Sequence, residues 1–83
     1  MTKKEFILDC LVDDDEAKTQ IMEYFEFGSI DITEKELDLL LDEMINEGLI
    51  TINKQWINEK NEYPYSLTQK GRYIWRNIKE EEY

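Results

Sequence analysis

The chain has 83 residues, with 20 acids against 10 bases, no histidine and a formal charge of −10. That length makes one domain with a modest core, and 41% hydrophobic with 12% aromatic residues is too apolar for a disordered polyelectrolyte. No apolar run is long enough to span a bilayer, no secretory leader is visible, and the lack of histidine removes the usual general base and the commonest metal ligand.

Thr2 followed by Glu5 forms a capping box and predicts a first helix, with Phe6, Ile7, Cys10 and Leu11 on one face. Cys10 is the single cysteine, so no internal disulfide is available, which suits a reducing cytoplasm. The run Asp13-Asp14-Asp15-Glu16 interrupts the pattern and is expected to open a second helix, since acids in a first turn complement its free N–H groups. A calcium loop does not fit that run: counted from Asp13, Lys18 falls where glycine is needed and Tyr24 where the bidentate glutamate is needed. The second helix is expected to bury Ala17, Ile21, Tyr24 and Phe25 and to end at Gly28. Ile30 and Ile32 suit a brief strand.

Thr33 and Glu36 repeat the capping box and open a third helix. Leu37, Leu40, Leu41, Met44 and Ile45 make an i, i+3, i+4, i+7, i+8 stripe, and Gly48 fits the left-handed position after the last turn. Residues 49–57 read as a strand, 58–62 as a turn, and Tyr63, Tyr65 and Leu67 as the returning strand, with Pro64 marking a sheet edge. Thr68 caps a fourth helix that buries Gly71, Ile74, Trp75 and Ile78. A glycine near the start of a helix costs propensity, so Gly71 implies close packing against a neighbour.

The order of helices and strands, and two local motifs, carry a resemblance. Tyr65-Ser66-Leu67-Thr68-Gln69-Lys70-Gly71 resembles the Tyr-x-Leu-Thr-x-x-Gly pattern that closes the wing in regulators of the MarR and PadR kind. Glu47-Gly48-Leu49-Ile50 is similar to the step from their recognition helix into the first wing strand. The implied fold is α+β and mostly α: a winged helix with a three-helix core, a β-hairpin wing and a C-terminal helix. One domain is expected over 1–83, its core at about 5–78 and 79–83 a frayed acidic tail.

In those families the third helix lies in the major groove and the wing tip touches the backbone or minor groove. Carried over, the third helix would present Lys35, Glu36, Leu39, Asp42, Glu43 and Asn46. A groove-reading helix ordinarily offers Arg, Lys, Asn, Gln or Ser, whereas this face offers one lysine and one asparagine against three acids. Carboxylates near phosphates oppose docking, so this face is read as a candidate protein-interaction surface, against a plain solvated face. Residues 1–50 carry 15 acids and 4 bases, while 51–79 carry 2 acids and 6 bases. Lys54, Lys60, Arg72, Arg76 and Lys79 therefore form a candidate patch for nucleic acid or an acidic partner, against ordinary solvated cations. Trp56, Tyr63 and Tyr65 suit either a stacking platform for single strands or cross-strand pairs over the core. Leu8, Val12 and Met22 join Leu39 as residues off their helices' main faces.

These features lead to the expectation of a small cytoplasmic regulator or adaptor that acts by binding another protein, without catalysis, metal or cofactor. The alternative is a DNA-binding transcriptional regulator, dimeric, using the wing and fourth helix. A further alternative is a DNA mimic. The short flanking helices imply a monomer or weak homodimer, and no membrane association is expected.

Overall fold

The computed structural model describes residues 1–82. Four helices and one hairpin follow in the order α1 (Lys3–Leu11), α2 (Lys18–Phe27), α3 (Glu34–Asn46), β1 (Ile50–Ile52), β2 (Tyr65–Leu67) and α4 (Gln69–Glu82). Strands β1 and β2 are antiparallel, pairing Ile50 with Leu67, Thr51 with Ser66 and Ile52 with Tyr65. This is the mostly helical α+β arrangement of a winged helix.

Local signals set most boundaries. Thr2 Oγ1 accepts the Glu5 N–H, and the Glu5 carboxylate accepts the Thr2 N–H, so both halves of the first capping box form. Thr33 Oγ1 accepts the Glu36 N–H at 3.1 Å, but the Glu36 carboxylate turns away to Lys3. Gly48 takes φ +76°. Its N–H reaches the Ile45 carbonyl, and that of Leu49 the Met44 carbonyl, which closes α3 with two bonds to its free carbonyls. Thr68 Oγ1 accepts the Gly71 N–H and donates to the carbonyls of Gly48 and Leu49, so one hydroxyl joins the end of α3 to the start of α4. A Cβ on Gly71 would overlap the Leu49 carbonyl, which is the close approach its position implied.

The core joins Ile7, Leu8 and Leu11 of α1, Ile21 and Phe25 of α2, Leu37, Leu41 and Met44 of α3, and Leu49 and Ile50 at the start of the wing. Phe6 meets Phe25 edge to face at 4.7 Å. Leu8, expected off the main face, is fully buried because α1 packs against α2, β2 and α4 together. Val12 and Met22 are half-buried.

Several expectations are corrected. The acidic run does not begin α2. Residues 12–14 bend, and Glu16 pairs with Tyr65 through backbone bonds of 2.8 and 3.2 Å, adding a one-residue bridge on the far side of β2. The α2 N-cap is Ala17, whose N–H is taken by the Gln20 side chain. Tyr24 is exposed rather than buried. Gly28 ends α2 with φ −80°, and Ser29 takes the left-handed position instead, at φ 56°. Ile30 and Ile32 form no strand and lie half-buried against the core. The first wing strand stops at Ile52, because Asn53 Oδ1 accepts the Gln55 N–H and turns the chain. Helix α4 continues past residue 78 to Glu82, and Tyr83 lies outside the described residues.

Candidate nucleic-acid interface

Helix α3 presents Lys35, Leu39, Asp42 and Asn46 to solvent, spaced four, three and four residues apart on one stripe. Leu39 is 57% exposed at its middle. Leu37, Leu41 and Met44 occupy the opposite, buried face.

Both flanks of that stripe are acidic, and both are held by lysines from other helices. On one side Lys3 contacts Glu36 at 2.9 Å, and Lys4 contacts Glu43 at 2.9 Å and Glu47 at 3.0 Å. On the other, Lys18 contacts Glu34 and Asp38, each at 2.8 Å. The Asp38 and Glu34 carboxylates, more than offsetting partial desolvation, push Lys18 up to about 12. Glu43 and Glu47 likewise raise Lys4. Of the expected α3 surface, then, Glu36 and Glu43 turn toward α1, while Lys35, Leu39, Asp42 and Asn46 stand clear. Asp42 makes no ion pair among the described residues. Sequence reading missed Lys3, Lys4 and Lys18. Their partners lie far along the chain, and no local spacing could have shown them.

The wing runs from Asn53 to Pro64 and is tied to the body at two points. Asn53 Nδ2 donates to Asp15 at 2.8 Å. At the tip, Asn58 Oδ1 accepts the N–H groups of Lys60 and Glu62 at 2.9 Å, and Asn61 adopts φ 61°. Burial opposes ionisation of Glu62, but hydrogen bonds from Asn58 and Thr19 together with the Lys60 charge outweigh it and hold its carboxyl below the usual range. Thr19 belongs to α2, so the tip lies against that helix. Beside this contact an open cleft of about 450 Å³ runs between wing and helix, lined by Thr19, Gln20, Ile57 and Lys60 among others.

The expected basic patch is divided. Lys54 and Lys60 are exposed on the wing, and Arg76 is exposed on α4. Arg72 instead donates to the Val12 carbonyl at 3.1 Å, and Lys79 pairs with Asp9 at 3.3 Å, so both are engaged with α1 and its exit. Lys70 donates to the Glu47 carbonyl at 2.7 Å, where a cation complements the C-terminal end of α3. Of the three wing aromatics, only Tyr65 lies in a strand, facing Ile52. Trp56 and Tyr63, each 44% exposed, lie in the connection.

No protein-family model matches the chain, and no curated protein sequence matches it. Solved structures do. A PadR family transcription regulator from hypervirulent Clostridium difficile superposes with TM-score 0.81 at 23% identity, over 95% of this chain and 84% of that one. Bacillus subtilis PadR in complex with operator DNA gives TM-score 0.76 at 24% identity, over 90% of this chain and 44% of that one. The chain thus spans less than half of that PadR. RosR of H. salinarum gives 0.79 at 21%, over 96% of this chain and 71% of its own. The fold is therefore the winged helix-turn-helix, of the kind found in PadR regulators.

These findings overturn the expectation of a protein-binding adaptor. The structures that share this fold are transcription regulators, one of them solved on operator DNA. The expectation also rested on α3 as an open acidic face, and most of its acids are held by lysines. No helix of the described residues is long and apolar enough to cross a membrane.

Proposed function

We propose that the chain binds duplex DNA as a transcriptional regulator, with α3 entering the major groove and the wing approaching the sugar–phosphate backbone. One observation carries this reading: the stripe Lys35, Leu39, Asp42 and Asn46 projects from a winged-helix recognition position, while the acids beside it are engaged by Lys3, Lys4 and Lys18. Lysine and asparagine are base-reading groups, and a leucine can meet a thymine methyl. Lys54 and Lys60 on the wing and Arg76 on α4 supply the backbone contacts. Arg72 and Lys79, engaged with α1, contribute less. A net charge of −10 weakens long-range steering, so the affinity is low and strongly dependent on salt.

The reading involves no catalysis and no cofactor, and it places the protein in the cytoplasm. By itself the chain is a monomer or weak homodimer, which sedimentation at several concentrations decides. DNA binding is tested by fluorescence anisotropy on genomic duplexes at about 50 mM salt, where counterion release favours the complex most. Binding at micromolar protein is expected, with a log K against log salt slope no steeper than about −4 per protomer if Lys35, Lys54, Lys60 and Arg76 each neutralise one phosphate. The absence of binding under these conditions would remove the reading.

A further inference from the structure

Asp42 is the outlier of the outward stripe. A carboxylate held toward DNA without a cation repels phosphates, and every other acid between residues 34 and 47 is engaged by a lysine except this one. It lies between Leu39 and Asn46, on the line that also holds Lys35. Its charge helps to raise Tyr65, after burial and Asp38. Among the described residues the Asp42 carboxylate is thus left without a cation, and on the DNA-binding reading its place on the helix is where a base edge would lie.

From this geometry we infer that Asp42 selects cytosine in the major groove, accepting a hydrogen bond from the exocyclic N4 amino group. The inference rests on the DNA-binding reading and assigns one position within it. A carboxylate only accepts hydrogen bonds. In the major groove guanine offers N7 and O6, thymine offers O4, and all three are acceptors that repel it. Adenine's N6 donor lies between two acceptors, its own N7 and the O4 of the paired thymine, whereas cytosine's N4 has an acceptor on one side only, the O6 of its paired guanine. Asp42 thus works chiefly by exclusion: guanine and thymine leave a desolvated, unpaired charge, and adenine sets two acceptors beside its single donor, which is a penalty on the wrong partner as well as a bond to the right one. The side chains around it extend the same logic, with Leu39 toward a thymine methyl and Asn46 suited to adenine.

The test is selection of bound duplexes from a random library at about 50 mM salt, with the wild type, Asp42→Ala and Asp42→Asn run in parallel, circular dichroism showing each to be folded. The wild type is expected to enrich a motif with an invariant C·G pair. Asp42→Ala is expected to lose the preference at that pair by about tenfold, while binding unselected DNA more tightly because a repulsive charge has gone. Asp42→Asn is expected to shift the same position toward adenine. If Asp42→Ala binds all sequences more tightly and keeps the wild-type motif intact, Asp42 is only a solvated acid and the assignment fails while DNA binding stands. If the wild type retains no duplex at all, the DNA-binding reading fails and takes the assignment with it.

Discussion

Trp75 donates its indole N–H to the Asp9 carboxylate at 2.9 Å, joining the last helix to the first across 66 residues of chain. Lys79, one turn on, pairs with the same carboxylate and sits 6.0 Å from the Trp75 ring centroid. Asp9 therefore anchors α4 against α1. Trp75→Phe keeps most of the packing and removes the donor. It is expected to cost about 1.5–3 kcal/mol, the range for a hydrogen bond to a charged acceptor, read as a lower urea midpoint with an unchanged slope. Asp9→Asn keeps an acceptor oxygen and should cost less. A larger loss from Asp9→Asn than from Trp75→Phe would mean that the charge paired with Lys79 holds the helices together more than the indole bond does.

Gly71 lets α4 approach the end of α3. A Cβ there meets backbone, the Leu49 carbonyl, which cannot rotate away as a side chain could. Gly71→Ala gains roughly 1 kcal/mol of helix propensity, but the overlap should outweigh it and leave a net loss of about 1–3 kcal/mol. A thermal melt decides the sign. A variant more stable than the wild type would show that α4 can shift without consequence for the wing.

Ser29 offers the opposite sign. It holds φ 56° at the end of α2, a conformation that costs an L-residue about 1–2 kcal/mol. Its N–H bonds the Glu26 carbonyl and that of Ile30 the Phe25 carbonyl, so the local geometry is a helix stop suited to glycine. Ser29→Gly is expected to raise stability by up to about 1 kcal/mol, measured by the same urea titration.

The features legible in the sequence are those whose partners lie within a few residues. The Thr2–Glu5 box, the Thr33 cap and the Gly48 stop each need only about one turn of helix to be recognised, and the apolar stripe of α3 little more than two. Gly71 was legible for a different reason: its cost in a helix needs a tertiary cause, although the sequence could not name Leu49. The acidic run shows the limit. Asp13 to Glu16 has the composition of a first helical turn, yet Asp15 is used by Asn53 and Glu16 by Tyr65, 38 and 49 residues away. The α3 surface failed in the same way. Periodicity placed Lys35, Leu39, Asp42 and Asn46 outward, but the sign of the face depended on lysines in α1 and α2 that no spacing links to it. Composition groups Arg72, Arg76 and Lys79 with Lys54 and Lys60 in one basic patch, and only tertiary contacts could show Arg72 and Lys79 turning to α1.

Cys10 should behave as a small apolar residue. Burial pushes its thiol up to about 12, with the charges of Asp9 and Glu16 adding to the effect. At neutral pH the native protein is expected to react with a disulfide reagent at least about a hundredfold more slowly than after denaturation, because thiolate is the nucleophile. The linkage has a definite sign. A folded-state value raised above the ordinary 9.0 means that the folded state holds the proton more tightly, so this contribution is complete below pH 9 and is lost as pH rises toward 12. Other groups titrate in that window, so the informative quantity is the difference between wild type and Cys10→Ala. The wild type should lose more stability than the variant between pH 8.5 and 11, by urea melts at each pH. Parallel losses would show that the thiol is not desolvated.

Lys18 bridges Glu34 and Asp38 on the flank of the outward α3 stripe. Exposed pairs of this kind add little to stability, typically about 0–1 kcal/mol, so their consequence should lie in binding instead. Lys18→Met leaves two carboxylates uncompensated within a Debye length, about 8–10 Å, of the position proposed for the phosphates. The variant is expected to melt within about 1 kcal/mol of the wild type and to bind duplex DNA several-fold more weakly at about 50 mM salt. The difference should shrink as salt rises, because screening acts on the uncovered charges as well as on the phosphates. Adding Glu34→Gln and Asp38→Asn to Lys18→Met should recover the affinity without restoring the lysine. Recovery is the outcome that masking of the two acids by Lys18 requires. If the triple variant binds as weakly as Lys18→Met, the lysine itself touches DNA and the masking argument fails.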